Sequence, residues 1–199
     1  MKKLFTVNNL KVTLLSVVAM LLQGCATEAV VRYGDSKAVE TVNTDFGSSD
    51  LLQLSERMTR SILESKVVTG AREAPIITLA GVKNKTSDYI DTNAISGRIR
   101  AQLTKSGNVR FVASISEMQN QVDELKRQNQ TGLYASQSTS RMGNMTGSRF
   151  RVEGEITSIV KQNKNIKDVF YNLHLTMFNN ETGEIVWEDD QDIRKTASR

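Results

Sequence analysis

The chain has 199 residues, 39% hydrophobic and 24% charged, with a formal net charge of +4 at neutral pH. That is enough for one domain with a real core, and too apolar for a wholly disordered chain. One cysteine and one histidine exclude a disulfide scaffold and a tetrahedral Cys/His metal site. A mean hydropathy of −0.34 with a single long apolar run excludes a polytopic membrane protein.

Residues 1–11 carry Lys2, Lys3 and Lys11 and no acid, and Val12 to Leu22 is apolar apart from Thr13 and Ser16. This is the charged and then apolar pattern of a bacterial export signal. Eleven helical residues rise only about 16 Å, roughly half a bilayer core, so a permanent transmembrane helix is the weaker reading. Leu22-Gln23-Gly24-Cys25 follows directly and looks like a lipobox, with an aliphatic residue three before the cysteine and a small residue just before it. Residues 1–24 are accordingly expected to be a lipoprotein signal peptide and Cys25 the site of lipid attachment, with acyl chains holding the mature chain to a membrane. Ala26 stands after the cysteine, where an aspartate would resemble an inner-membrane retention signal, so the expected location is the outer membrane, facing the periplasm. Removing residues 1–24 takes away three lysines and no acid, and the net charge falls from +4 to +1. Nucleic acid is therefore not an expected partner.

Residues 25–49 are polar and aperiodic after the cysteine, and read as a flexible tether of about 25–29 Å average reach. Residues 50–199 read as a single globular periplasmic domain. Asp50 is a candidate N-cap with Gln53 three residues on, followed by Leu51, Leu54, Met58 and Ile62 at helical spacing. Ile76 to Ala80, between Pro75 and Gly81, reads as a buried strand. Asp91 caps a second helix with Ile95, Ile99 and Leu103 on one face, stopped by Gly107. Val109 to Val112 is a second strand, and a third helix carries Ile115, Met118, Val122 and Leu125. This β-α-β-α order predicts a mixed sheet with the helices packed on it.

Asn129 to Ser148 is a long run of small polar residues holding Arg141, Met142 and Met145. A segment so long without a periodic pattern is either functional or disordered. Phe150 to Ile156 and Val169 to Met177 then alternate with period two, as half-buried antiparallel strands do. Asn179 to Gly183 turns the chain into Ile185-Val186-Trp187, completing a C-terminal antiparallel hairpin, and the charged tail from Glu188 is expected to fray. The fold class is α/β (α+β).

No set of residues converges on chemistry. His174, the only imidazole, lies in the polar phase of its strand, with no nucleophile and acid at recognisable spacing. Glu153 and Glu155 are two apart on one strand face, as in many solvated strands. Lys83-Asn84-Lys85-Thr86 is a basic turn, and neither phosphate-loop nor dinucleotide glycine spacing is present. The chain is not expected to be an enzyme or to carry a cofactor or metal.

The lipobox, the tether, the β-α-β-α start and the terminal antiparallel sheet together resemble the LpoB family of outer-membrane lipoproteins. The resemblance is carried by Ile77 to Thr86, by Phe111-Val112, and by Thr182-Gly183-Glu184-Ile185-Val186-Trp187. It implies a fold similar to the N-terminal domain of TolB. The implied function is binding and activation of a class A penicillin-binding protein through its small regulatory domain, stimulating peptidoglycan synthesis, with peptidoglycan nearby. Family members often have a long proline-rich tether, whereas this one is short and proline-free. Phe150 to Ile156 also resembles CsgG, the curli secretion pore lipoprotein. Asn129 to Ser148 cannot supply the apolar membrane strands a pore needs. The alternatives are therefore a CsgG-like soluble core acting in envelope or secretion assembly, or a structural peptidoglycan-associated lipoprotein. Within the activator reading, Arg141 is the candidate partner contact, because arginine pairs bidentately with carboxylates and is enriched at interface hot spots.

Overall fold

A computed structural model of the chain describes residues 32–198. The lipobox and Cys25 lie outside the described residues. A compact unit begins at Ser36. In chain order it comprises α1 (Ser48–Glu64), the short α2 (Lys66–Thr69), β1 (Ile76–Asn84), α3 (Thr92–Ser106), β2 (Arg110–Phe111), α4 (Ile115–Gln130), β3 (Phe150–Gln162), β4 (Ile166–Asn179) and β5 (Ile185–Ser198). The five strands form one sheet in the order β2-β1-β3-β4-β5. β1 is parallel to both β2 and β3, while β3, β4 and β5 form an antiparallel meander. The mixed α/β class is as expected.

α1 and α3 pack against one another and cover one face of the sheet. Leu54, Met58 and Ile62 of α1 and Ile95, Ile99 and Leu103 of α3 are fully or almost fully buried, against Ile77, Val152, Ile156, Leu173, Leu175 and Met177 of the strands. Each such side chain contributes about 1.5–3 kcal/mol relative to exposure, so these two helices hold the sheet. Asp91 caps α3 by accepting from the Asn93 N–H, and Gly107 ends it in the left-handed region at φ 72°. Both follow the sequence reading. The cap of α1 differs: Gly47 is the N-cap, and Asp50 sits three residues inside. Its carboxylate accepts from the Gly47 N–H at 2.9 Å and pairs with Lys195 Nζ at 2.9 Å. That second bond satisfies a buried charge from a strand 145 residues away, which no local pattern reveals.

Three further differences have physical causes. The charged tail is strand: β5 runs to Ser198, because pairing with β4 from Met177↔Trp187 to Ile166↔Ser198 gives every second backbone group a partner. Its alternating charges place Glu188, Asp190 and Asp192 on the face the helices leave open. The end of the expected tether is docked. Thr44 is buried and accepts from the Tyr171 hydroxyl at 3.3 Å, and Phe46 meets the Tyr171 ring edge-on at 5.6 Å between centroids. Tyr171 also donates to Asp88, and its burial holds the phenol well above its ordinary pKa. The third difference is α4. Its cap is well made, yet it has no buried residue and does not pack on the sheet, contrary to the expectation that all the helices would.

Candidate functional site

α4 starts where the chain leaves β2. The Val112 N–H bonds to Ile77 O at 3.1 Å, which fixes the strand edge, and Ser114 then caps the helix. Glu117 holds that start in place. Its carboxylate accepts from the Ser114 N–H at 2.9 Å and pairs with Arg100 Nη1 of α3 at 2.5 Å. The Arg100 bond, followed by the Ser114 bonds, lowers the Glu117 pKa to about 2.

The apolar stripe predicted for this helix exists, but the sheet does not cover it. Ile115 is 88% exposed, and Met118, Val122 and Leu125 are partly exposed along about 15 Å of helix. Between the start of α4 and the open face of β1 and β3 lies a groove of about 910 Å³, reached by Thr78, Ala80, Val112, Ile115, Met118 and Arg151. Val122 and Leu125 continue the stripe into a second hollow of about 280 Å³, closed on its far side by Met142 and Met145. Thr78 Oγ1 is buried on the groove wall without a hydrogen-bond partner among the described residues.

Asn129 to Ser148, expected to be functional or disordered, has no strand or helix after α4 ends at Gln130, and is pinned at both ends. Asn129 Nδ2 donates to Ser140 O at 2.9 Å, and the Ser140 N–H donates to Gln128 Oε1 at 3.0 Å. At the other end Asn180 Nδ2 donates to Ser148 O at 2.9 Å. From the last turns of α4, Arg127 pairs with Glu124, bonds Tyr134 of the segment and lies over its ring at 5.1 Å. The Glu124 interaction raises the pKa of Arg127. Arg141 is exposed, one residue past the Ser140 pin and one before Met142. Arg141 is next in sequence to Met142 of the smaller hollow but does not itself line either hollow. Sequence reasoning missed the groove because helical spacing reports an apolar face without saying what covers it. The usable signal was the pair Met142 and Met145 in a segment otherwise unsuited to a core.

The remaining sequence candidates lie elsewhere. His174 Nδ1 is 3.0 Å from Asp190 and Nε2 is 3.1 Å from Thr176, a satisfied pair of contacts on the open sheet face. Glu153 pairs with Arg151 at 3.4 Å. Lys83 and Lys85 are exposed at the end of β1. Met177 is fully buried, while Trp187 packs against the core edge.

The fold and this groove can be set beside known proteins. No curated protein matches the chain. Among solved structures, the chain is similar to the LpoB C-terminal domain of Escherichia coli at 15% identity, covering 72% of this chain and 98% of that one, TM-score 0.45. The Salmonella enterica LpoB C-terminal domain gives 15% identity and the same coverages, TM-score 0.43. Lipoprotein GNA1162 of Neisseria meningitidis gives 16% identity, 62% and 84% coverage, and TM-score 0.38. The model of the family described as peptidoglycan-synthase activator LpoB matches residues 50–193, well over half of the sequence. The chain belongs to the LpoB family.

Proposed function

We propose that this protein is an outer-membrane lipoprotein, anchored through Cys25, that binds a class A penicillin-binding protein and stimulates peptidoglycan synthesis. Residues 1–24 would be its signal peptide, followed by a connector and a periplasmic domain similar to the N-terminal domain of TolB. As a member of a family of activators, the chain is not itself an enzyme. Its work must then be done by a contact surface.

The observation that carries this reading is the uncovered apolar stripe of α4, flanked by Met142 and Met145 and rimmed by polar groups. An apolar centre with a polar rim is the anatomy of a protein interface. Methionine side chains adapt to a partner's shape at low cost. Arg141, exposed beside Met142, would meet a carboxylate of the partner. A capped helix held by Glu117 and Arg100 presents the stripe without relying on the core.

The test is glycan polymerisation by a purified class A synthase of the same organism, with and without residues 26–199. Acceleration at stoichiometric ratios is expected. Met118→Asp with Val122→Asp should weaken binding at least about tenfold with the circular dichroism spectrum unchanged. Acceleration that survives this double variant would remove the groove from the reading, and no binding by the natural chain would remove the activator assignment.

A further inference from the structure

The far end of the β3–β4 hairpin is the second unusual surface. Ile159-Val160-Lys161-Gln162-Asn163-Lys164-Asn165-Ile166-Lys167 holds three lysines and no acid. β1 pairs with β3 only as far as Asn84↔Ile156, so this end projects past the parallel half of the sheet. Its large apolar side chains are in the open: Ile159 is 60% exposed, and Val160 and Ile166 are each 44% exposed. The nearest acid on the hairpin, Asp168, is already held by Arg194 at 2.7 Å.

This end is also where the N-terminal connector reaches the domain. Val42 to Asp45 and Asn163 to Lys167 line one cleft. Lys167 Nζ pairs with Asp45 at 3.2 Å, and Lys195 Nζ donates to Asp45 O at 2.7 Å. Val42 itself is 92% exposed. Because the compact unit starts at Ser36, only residues 26–35 separate it from Cys25. Fully extended, such a stretch spans at most about 40 Å. The docking of Thr44 and Phe46 against Tyr171 keeps the remainder from adding reach.

We propose that the β3–β4 tip, with exposed Ile159, Val160 and Ile166 among Lys161, Lys164 and Lys167, rests on an anionic phospholipid surface. The inference builds on the lipid-anchor reading of Cys25, which would hold this end of the domain near such a surface. Charge along the sheet is arranged to suit it. Asp168, across from Lys161, is taken up by Arg194. Asp192 stands on the Thr157 rung, four residues or about 13 Å from Lys161. Glu155 and Asp190 stand six residues or about 20 Å away, more than two Debye lengths at physiological salt. The groove beside α4 opens near Arg151, ten residues or about 33 Å along β3 from Lys161. One end would therefore meet lipid while the other faces the periplasm.

The test is co-sedimentation of the mature chain carrying Cys25→Ser, which removes any acyl contribution, with vesicles of phosphatidylethanolamine, phosphatidylglycerol and cardiolipin. Each lysine near an anionic surface is worth about fivefold in binding, so Lys161→Gln with Lys164→Gln should lower it about 25-fold. Ile166→Asn should lower it as well, and raised salt should weaken the natural tip more than the double variant. Equal binding to pure phosphatidylcholine vesicles, no effect of the lysine variant, or binding to isolated peptidoglycan sacculi in place of vesicles would overturn the proposal. Palmitate labelling of natural Cys25 separates the two readings. Unlabelled Cys25 with vesicle binding intact defeats only the anchor, and labelled Cys25 without vesicle binding defeats only the tip.

Discussion

Glu117→Ala should loosen α4 without unfolding the domain. Glu117 accepts from the Ser114 N–H and hydroxyl, both at 2.9 Å, and pairs with Arg100 at 2.5 Å. Both charged side chains are 40% exposed, so solvent screening holds the ion pair to about 1 kcal/mol despite the lowered pKa. Losing the reciprocal cap adds about 0.5–1 kcal/mol. The sum, about 1.5–2 kcal/mol, falls on a helix with no buried residue, so it should appear as local opening. Amide exchange across Ile115–Gln130 should then speed up by about 10–30-fold, while the melting temperature of the domain moves by less than about 2 °C. The same contribution is pH-dependent in the natural chain. The folded carboxyl has a depressed pKa, so its stabilisation is present above about pH 4.5 and is lost as pH falls toward about 2. Hydrogen-exchange mass spectrometry beside a thermal melt decides it. Unchanged exchange in α4, or a fall of the whole-domain melt by more than about 5 °C, would refute the view that α4 stands outside the core.

Two other predictions probe different levels. A Cβ at Gly154 would lie 2.0 Å from His174 O and 2.6 Å from Leu175 Cδ2, so Gly154→Ala must push β3 and β4 apart. We expect a cost of about 1–3 kcal/mol, lowering the melting temperature by about 2–12 °C in calorimetry; an unchanged melt would contradict that close approach. Cys25→Ser should leave an uncleaved or soluble periplasmic form, and continued fractionation with the outer membrane would defeat the lipid-anchor reading.

The two proposed surfaces bear on the short connector. If both proposals hold, a synthase in the inner membrane would be far from a domain resting on the outer membrane, and the partner would have to supply part of the distance. With the groove about 33 Å from the β3–β4 tip, the domain would then add its own length to that of the connector. Acceleration in solution, where no distance has to be spanned, separates binding competence from this geometry.

Much of the fold was written in local pattern. The cap at Asp91, the stop at Gly107, the period-two strands and the turn before Ile185 each depend on residues close in sequence, and the structure keeps all four. So too the satisfied His174, whose polar phase on β4 already placed it away from the core. What tertiary structure decided was what each surface meets. Asp50 read as a cap, but Lys195 from the last strand makes it the anchor of α1. The charged tail became β5 because a paired edge satisfies backbone groups that a frayed tail would leave to water. The stripe on α4 obeyed the same spacing as the buried faces of α1 and α3, yet only those two meet the sheet. Periodicity records which face of a helix is apolar; whether that face is buried in the fold or left for a partner depends on where distant strands place the sheet.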